Sequence, residues 1–96
     1  MLGMARRANR VSLGHDAALD SLKSGNARLI LVSGDASERL CGEFENACAE
    51  NGTPFEKLKY NMNETGASMG AKTTAVLSVN DEGFAAKIKE LIREDD

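Results

Sequence analysis

The chain has 96 residues, 42% hydrophobic and 28% charged, with no Trp, one Pro, two Cys and a formal net charge of −3. That length suits a single globular domain over 1–96, able to bury roughly 60–65% of the surface its unfolded form exposes. No apolar run approaches the ~20 residues of a membrane span, and MLGMARRANR has no apolar segment after its charges, so neither a membrane partner nor a secretory signal is expected and the default is a cytoplasmic protein.

Leu2 to Ala8 reads as a short helix, closed by Asn9 in the left-handed conformation that Asn adopts when Gly does not. Arg10 to Leu13 is a short strand. Gly14 accepts backbone conformations that other residues avoid and lets another molecule come close to the main chain. It feeds a helix over His15 to Lys23, with Ala18 and Leu22 four apart on the inner face, Asp16 and Asp20 on another, and Gly25 as the stop. Ala27 to Val32, ARLILV, is a nearly continuous apolar run, which suits a strand covered on both faces.

Asp35 and Glu38 have capping-box spacing for a third helix. Leu40, Cys41, Phe44, Ala47 and Cys48 give that helix one apolar stripe. The two cysteines are seven apart, a spacing that fits neither a zinc knuckle nor a redox motif, so both are expected in the core. Asn51-Gly52 ends the helix and Pro54 prevents its continuation. Phe55 to Leu58 is a third strand. Asn61 and Glu64 repeat the capping-box spacing for a short fourth helix that stops at Gly70. Ala71 to Thr73 is loop and Thr74 to Val79 a fourth strand. Asn80 is expected to cap the last helix, with Phe84, Ile88, Leu91 and Ile92 on its inner face and Glu94 to Asp96 frayed. Strands alternate with helices throughout, which predicts an α/β fold: a three-layer α-β-α sandwich around a central sheet whose strand order the sequence does not fix.

Chemistry concentrates near the second helix. A Gly turn that opens a helix offers unpaired N–H groups and about half a positive charge, a seat for phosphate. Residues 1–30 carry five basic side chains (Arg6, Arg7, Arg10, Lys23, Arg28) against two acidic ones, whereas residues 31–96 carry seven basic against thirteen acidic. The asymmetry places an anionic partner at the N-terminal part. His15 can stack on a base or, when charged, pair with phosphate. GASMG at 66–70 lacks the Lys-Ser/Thr that completes a phosphate loop. No metal cluster, cofactor motif or nucleophile–base pair stands out, so neither catalysis nor a cofactor is expected.

LGMARRANRVSLGHDAALDSLKSGNARLILVSGDAS, NGTPF, ETGASMG and DEGFAAKI, in that order and spacing, resemble the bacterial YlxQ-type members of the kink-turn-binding ribosomal protein superfamily, over Leu2 to about Ile92. The resemblance implies a four-stranded mixed sheet between helices, and binding to RNA where a duplex bends sharply beside sheared G·A pairs. Family members start the second helix with Gly-x-Asn-Glu-x-x-Lys, whose polar side chains read guanine edges and whose Lys meets phosphate. By position Gly14 matches the Gly, Asp16 stands for Asn, Ala17 for Glu and Asp20 for Lys. A second loop, which in the family covers a flipped-out nucleotide, corresponds to Met69, Gly70, Ala71, Lys72, Thr73 and Thr74.

The expected function is therefore a non-catalytic, ribosomal-protein-like RNA-binding module of the translation apparatus. Arg6, Arg7, Arg10, Gly14, His15, Asp16, Lys23, Gly70, Ala71, Lys72 and Thr73 form its RNA-binding surface, with ribosomal or kink-turn RNA as partner. Ala17 and Asp20 weaken base reading and leave mostly phosphate contacts, which position without specifying. The alternative is a protein-interaction module on the same scaffold that has lost specific RNA binding, its acidic 31–96 surface meeting a basic partner.

Overall fold

The computed structural model describes residues 2–94. Five helices and four strands follow one another as α1 (Leu2–Arg7), β1 (Val11–Leu13), α2 (His15–Lys23), β2 (Leu29–Val32), α3 (Glu38–Asn51), β3 (Phe55–Lys57), α4 (Met62–Ala67), β4 (Val76–Val79) and α5 (Glu82–Glu94). Asn9 closes α1 with φ 59°, as its short polar side chain allows. Strands start later than the apolar runs suggest, because Ala27, Arg28 and Thr74 lead into the sheet from loops.

The sheet runs β1-β4-β2-β3. β4 is antiparallel to both β1 and β2, and β2 is parallel to β3, so the sheet is mixed. The register pairs Leu13 with Leu77, Val32 with Val76 and Ile30 with Phe55. The central strands β2 and β4 are buried at every position, the pattern expected of strands with helices on both faces. Edge strands β1 and β3 have three residues each, short enough to limit pairing with other chains. The parallel β2–β3 pair needs a crossover, which α3 supplies.

Alternation along β2 divides the core. Leu29 and Leu31, with Leu77 and Val79, face a layer built on Leu2, Met69, Ala85 and Ile88 from α1, the end of α4 and α5. Ile30, Val32 and Val76 face Ala18 and Leu22 of α2 and Phe44 and Cys48 of α3. The three-layer sandwich is thus α1/α4/α5, sheet, α2/α3. Cys48 is buried, Cys41 half-buried, and both are free thiols.

Three local expectations change. Ser37, not Asp35, caps α3, its hydroxyl accepting from Leu40 N–H at 3.1 Å. Asp35 instead accepts from Met62 N–H at 2.9 Å, tying the β2–α3 loop to the start of α4. At α5 the cap is Asp81, which accepts from Phe84 N–H at 2.9 Å. Asn80 turns inward and donates to Ser12 Oγ, 2.9 Å, while Ser78 Oγ lies 2.6 Å from its Oδ1 and Ser21 Oγ 2.9 Å from Ser12 Oγ. Asn80 thus completes a polar network beneath α2, and satisfying those hydroxyls outweighs capping. Leu91 lies 40% exposed rather than on the inner face, because α5 turns it toward a groove beside Leu2 and Tyr60. Asn61 and Glu64 do form a capping box on α4. Glu94 still belongs to α5, and the fraying expected of Asp95 and Asp96 lies outside the described residues.

Candidate functional site

At the end of β1, Gly14 adopts φ 95° and ψ 170°, a region that Gly enters readily and other residues do not. Its N–H donates to the Val76 carbonyl at 2.9 Å and its carbonyl accepts from Ala18 N–H at 3.0 Å. The turn is thereby fixed to the first residue of β4. Gly14 offers no side chain to cap α2, so the positive end of that helix is left open to an outside anion.

The segment between α4 and β4 lies beside this turn. Leu13, Gly14, His15 and Leu40 share a groove of about 320 Å³ with Ala71, Lys72, Thr73 and Thr74. The segment is held by its backbone. Ala71 N–H donates to the Gly66 carbonyl (2.8 Å), Gly70 N–H to Ala67 (3.1 Å) and Thr74 N–H to Met62 (3.0 Å). Thr73 Oγ1 donates to Asn63 Oδ1 at 2.9 Å, and Thr74 Oγ1 to the Lys72 carbonyl at 3.0 Å. Gly66 makes the fold of this loop possible: a Cβ there would sit 1.8 Å from the Lys72 carbonyl oxygen. Gly70 turns the chain with φ 66°. Lys72 is left exposed at the lip of the groove. From α1, Arg6 Nη1 donates to the Met69 carbonyl at 2.8 Å and braces the loop.

His15 opens α2 and is clasped by carboxylates. Its Nε2 lies 2.9 and 3.0 Å from the two Glu43 oxygens, its Nδ1 lies 3.1 Å from Asp16 Oδ1, and its ring meets Phe44 edge-on at 5.4 Å. Carboxylates only accept, so the imidazolium, with two donors, satisfies both contacts at once. The hydrogen bonds to Asp16 and then to Glu43 raise the His15 pKa above its ordinary 6.5. Glu43 is 28 positions from His15, and nothing in the sequence brings the two together.

The other expected site residues divide between two ends of the sheet. Arg7 is exposed on α1. Arg10 stands at the opposite end of β1 from Gly14, roughly 13 Å along an extended strand. Its carbonyl accepts from Asn80 N–H, while Arg28 N–H donates to Val79 on the other side of β4. Lys23 ends α2, about 12 Å from His15 along the helix. The expected basic corner therefore separates: Gly14, His15, Asp16 and the loop with Arg6 lie at one end, Arg10 and Lys23 at the other. The strand and the helix run away from Gly14, so closeness in sequence does not become closeness in space. A larger cleft of about 720 Å³ lies at that far end, lined by Gly25, Arg28, Gly52, Gly83 and Lys89 among others. Leu40, Glu43, Asn63 and Gly66 are the contributors that sequence reasoning missed.

The model of the ribosomal protein L7Ae/L30e/S12e/Gadd45 family matches residues 1–89. The chain belongs to this family. RNA-binding protein YlxQ of Bacillus subtilis (strain 168) is 30% identical over 92 residues, covering 96% of this chain and 91% of the relative. A protein of the same name from Enterococcus faecium is 28% identical over 92 residues, covering 96% and 87%. Among solved structures, a protein of unknown function from Bacillus halodurans superposes with a TM-score of 0.90 at 25% identity, covering 96% of this chain and 92% of that one. The Giardia lamblia 15.5kD RNA binding protein gives 0.81 at 20% identity, covering 97% and 82%. At that identity the last comparison speaks for the family fold, and the mixed four-stranded sheet agrees with it. Among the described residues no helix is long and apolar enough to cross a membrane, and no three or more His, Cys, Asp or Glu side chains gather as a metal site.

Proposed function

We propose that this member of the family is a non-catalytic RNA-binding module of the translation apparatus, seating structured, kink-turn-like RNA in the groove between Gly14 and the Ala71–Thr74 loop. The observation that carries the reading is the junction itself: an uncapped helix start and a prefolded loop share one groove. The helix start and Lys72 offer two phosphate contacts, and Ala71 and Leu13 offer apolar surface for a base face. The names of the two bacterial relatives support RNA as the partner. Base reading is weak in this proposal. Ala17 has no polar side chain, and Asp16 and Asp20 bring negative charge to the helix that would meet phosphate. Affinity then comes mostly from phosphate contacts, with little preference for a kink-turn over a plain duplex.

Titration against a kink-turn RNA and an unkinked duplex, each at two salt concentrations, tests this. Binding should weaken with salt by a logarithmic slope of about 0.7–0.9 per contacted phosphate. Lys72→Glu should lower affinity by roughly tenfold and flatten that slope. Absence of binding at low salt, or a slope near zero, refutes the reading. A second reading, a scaffold meeting a basic protein, is favoured by one feature: Asp16 and Glu43 stand on His15 beside the helix start. If RNA does not bind at low salt but Asp20→Lys creates kink-turn binding, the second reading gains over the first.

A further inference from the structure

Resting on the RNA reading above, we propose that Glu43 is a positioning residue of the groove, which through His15 makes phosphate binding depend on a single proton. Carboxylates from two helices face the imidazole. From α2 there is Asp16, 3.1 Å from Nδ1, with Asp20 one turn further on. From α3 there is Glu43, at 2.9 and 3.0 Å from Nε2, with Arg39 four positions earlier and Phe44 packed edge-on. Lys72 lines the same groove from the α4–β4 loop.

His15 and Lys72 line the groove, and Asp16 and Glu43 reach it through His15. With His15 neutral, Lys72, Asp16 and Glu43 sum to one net negative charge, and protonation of His15 brings that sum to zero. The clasp also decides where the proton's charge sits. Two oxygens of Glu43 hold the ring toward α3, so His15 acts by cancelling carboxylates and not by reaching out to phosphate itself. The raised pKa of His15 agrees with this geometry. The sign follows: RNA binds more tightly below the His15 midpoint and loses that gain as pH rises through it. By linkage, RNA moves the midpoint upward by the same factor.

One charge at the separations found across a groove, screened by water, is worth about two- to fivefold in affinity. His15 is the single histidine of the chain, so its ring resonances in an NMR titration need no assignment. The experiment follows that titration in the intact chain and in Glu43→Gln. It also measures affinity for a synthetic kink-turn RNA between about pH 5.5 and pH 8.5 in both, and in His15→Asn. The proposal expects a midpoint above the ordinary histidine value, lowered in Glu43→Gln and raised by RNA. It expects a two- to fivefold affinity change across that range whose midpoint moves to lower pH in Glu43→Gln and which vanishes in His15→Asn. A midpoint that ignores Glu43→Gln overturns it, as does a pH dependence that survives in His15→Asn. Absence of binding at every pH removes the RNA reading and this proposal with it. Binding indifferent to the charge on His15 removes this proposal alone.

Discussion

At the scale of single residues, Gly66 shows how much the shape of a groove can depend on a residue outside its lining. The Lys72 carbonyl occupies the space where a side chain would begin. Gly inside a helix is ordinarily a liability of roughly 0.5–1 kcal/mol relative to Ala. Gly66→Ala should therefore stabilise if α4 were all that mattered. The contact reverses the sign: the variant should lose about 1–3 kcal/mol, as overpacked positions do, and bind RNA less tightly, in a thermal melt and a titration done side by side. In the sequence GASMG reads only as a segment without the Lys-Ser/Thr of a phosphate loop, and nothing there marks the close approach at Gly66. Glu43 was not visible at all, since its meeting with His15 depends on how α3 lies against α2. Gly14 was legible because it stands between two strongly patterned segments.

Element by element, the sequence is most readable where one force dominates. LILV in β2 is covered on both faces, and its unbroken apolar run says so. The α3 stripe from Leu40 to Cys48 holds for the same reason. Caps are harder, because several polar residues precede each helix and only geometry chooses among them. Ser37 wins at α3 while Asp35 is drawn away to Met62. Ser37→Ala should cost about 1 kcal/mol, whereas Glu38→Gln, which removes only a charge near the helix start, should cost a few tenths. Urea unfolding of the two variants separates them. Strand direction was the other blind spot. Arg10 is four residues from Gly14, and because β1 is extended that interval becomes the full length of the sheet edge.

For the whole molecule, the division of the core into two layers makes Cys48 a reporter. It is 2% exposed beneath the α2/α3 layer, and burial pushes its thiol up to about 11. Alkylation should reach Cys41 in the native state and Cys48 only when the layer opens. If the α2/α3 layer opens only by global unfolding, the Cys48 labelling rate should track global stability in mildly destabilised variants; equal labelling of both thiols in the native chain would contradict the packing. The pairing of Val11 with Val79 across the first and last strands has a temporal side as well. A growing polypeptide that has not yet made Val76 to Val79 owns Gly14 and the loop that precedes β4, yet has nothing to hold them together. Such long-range closure comes late and slowly. The groove therefore comes into being only once β4 has been made and has closed on β1, after every element between them is already in place.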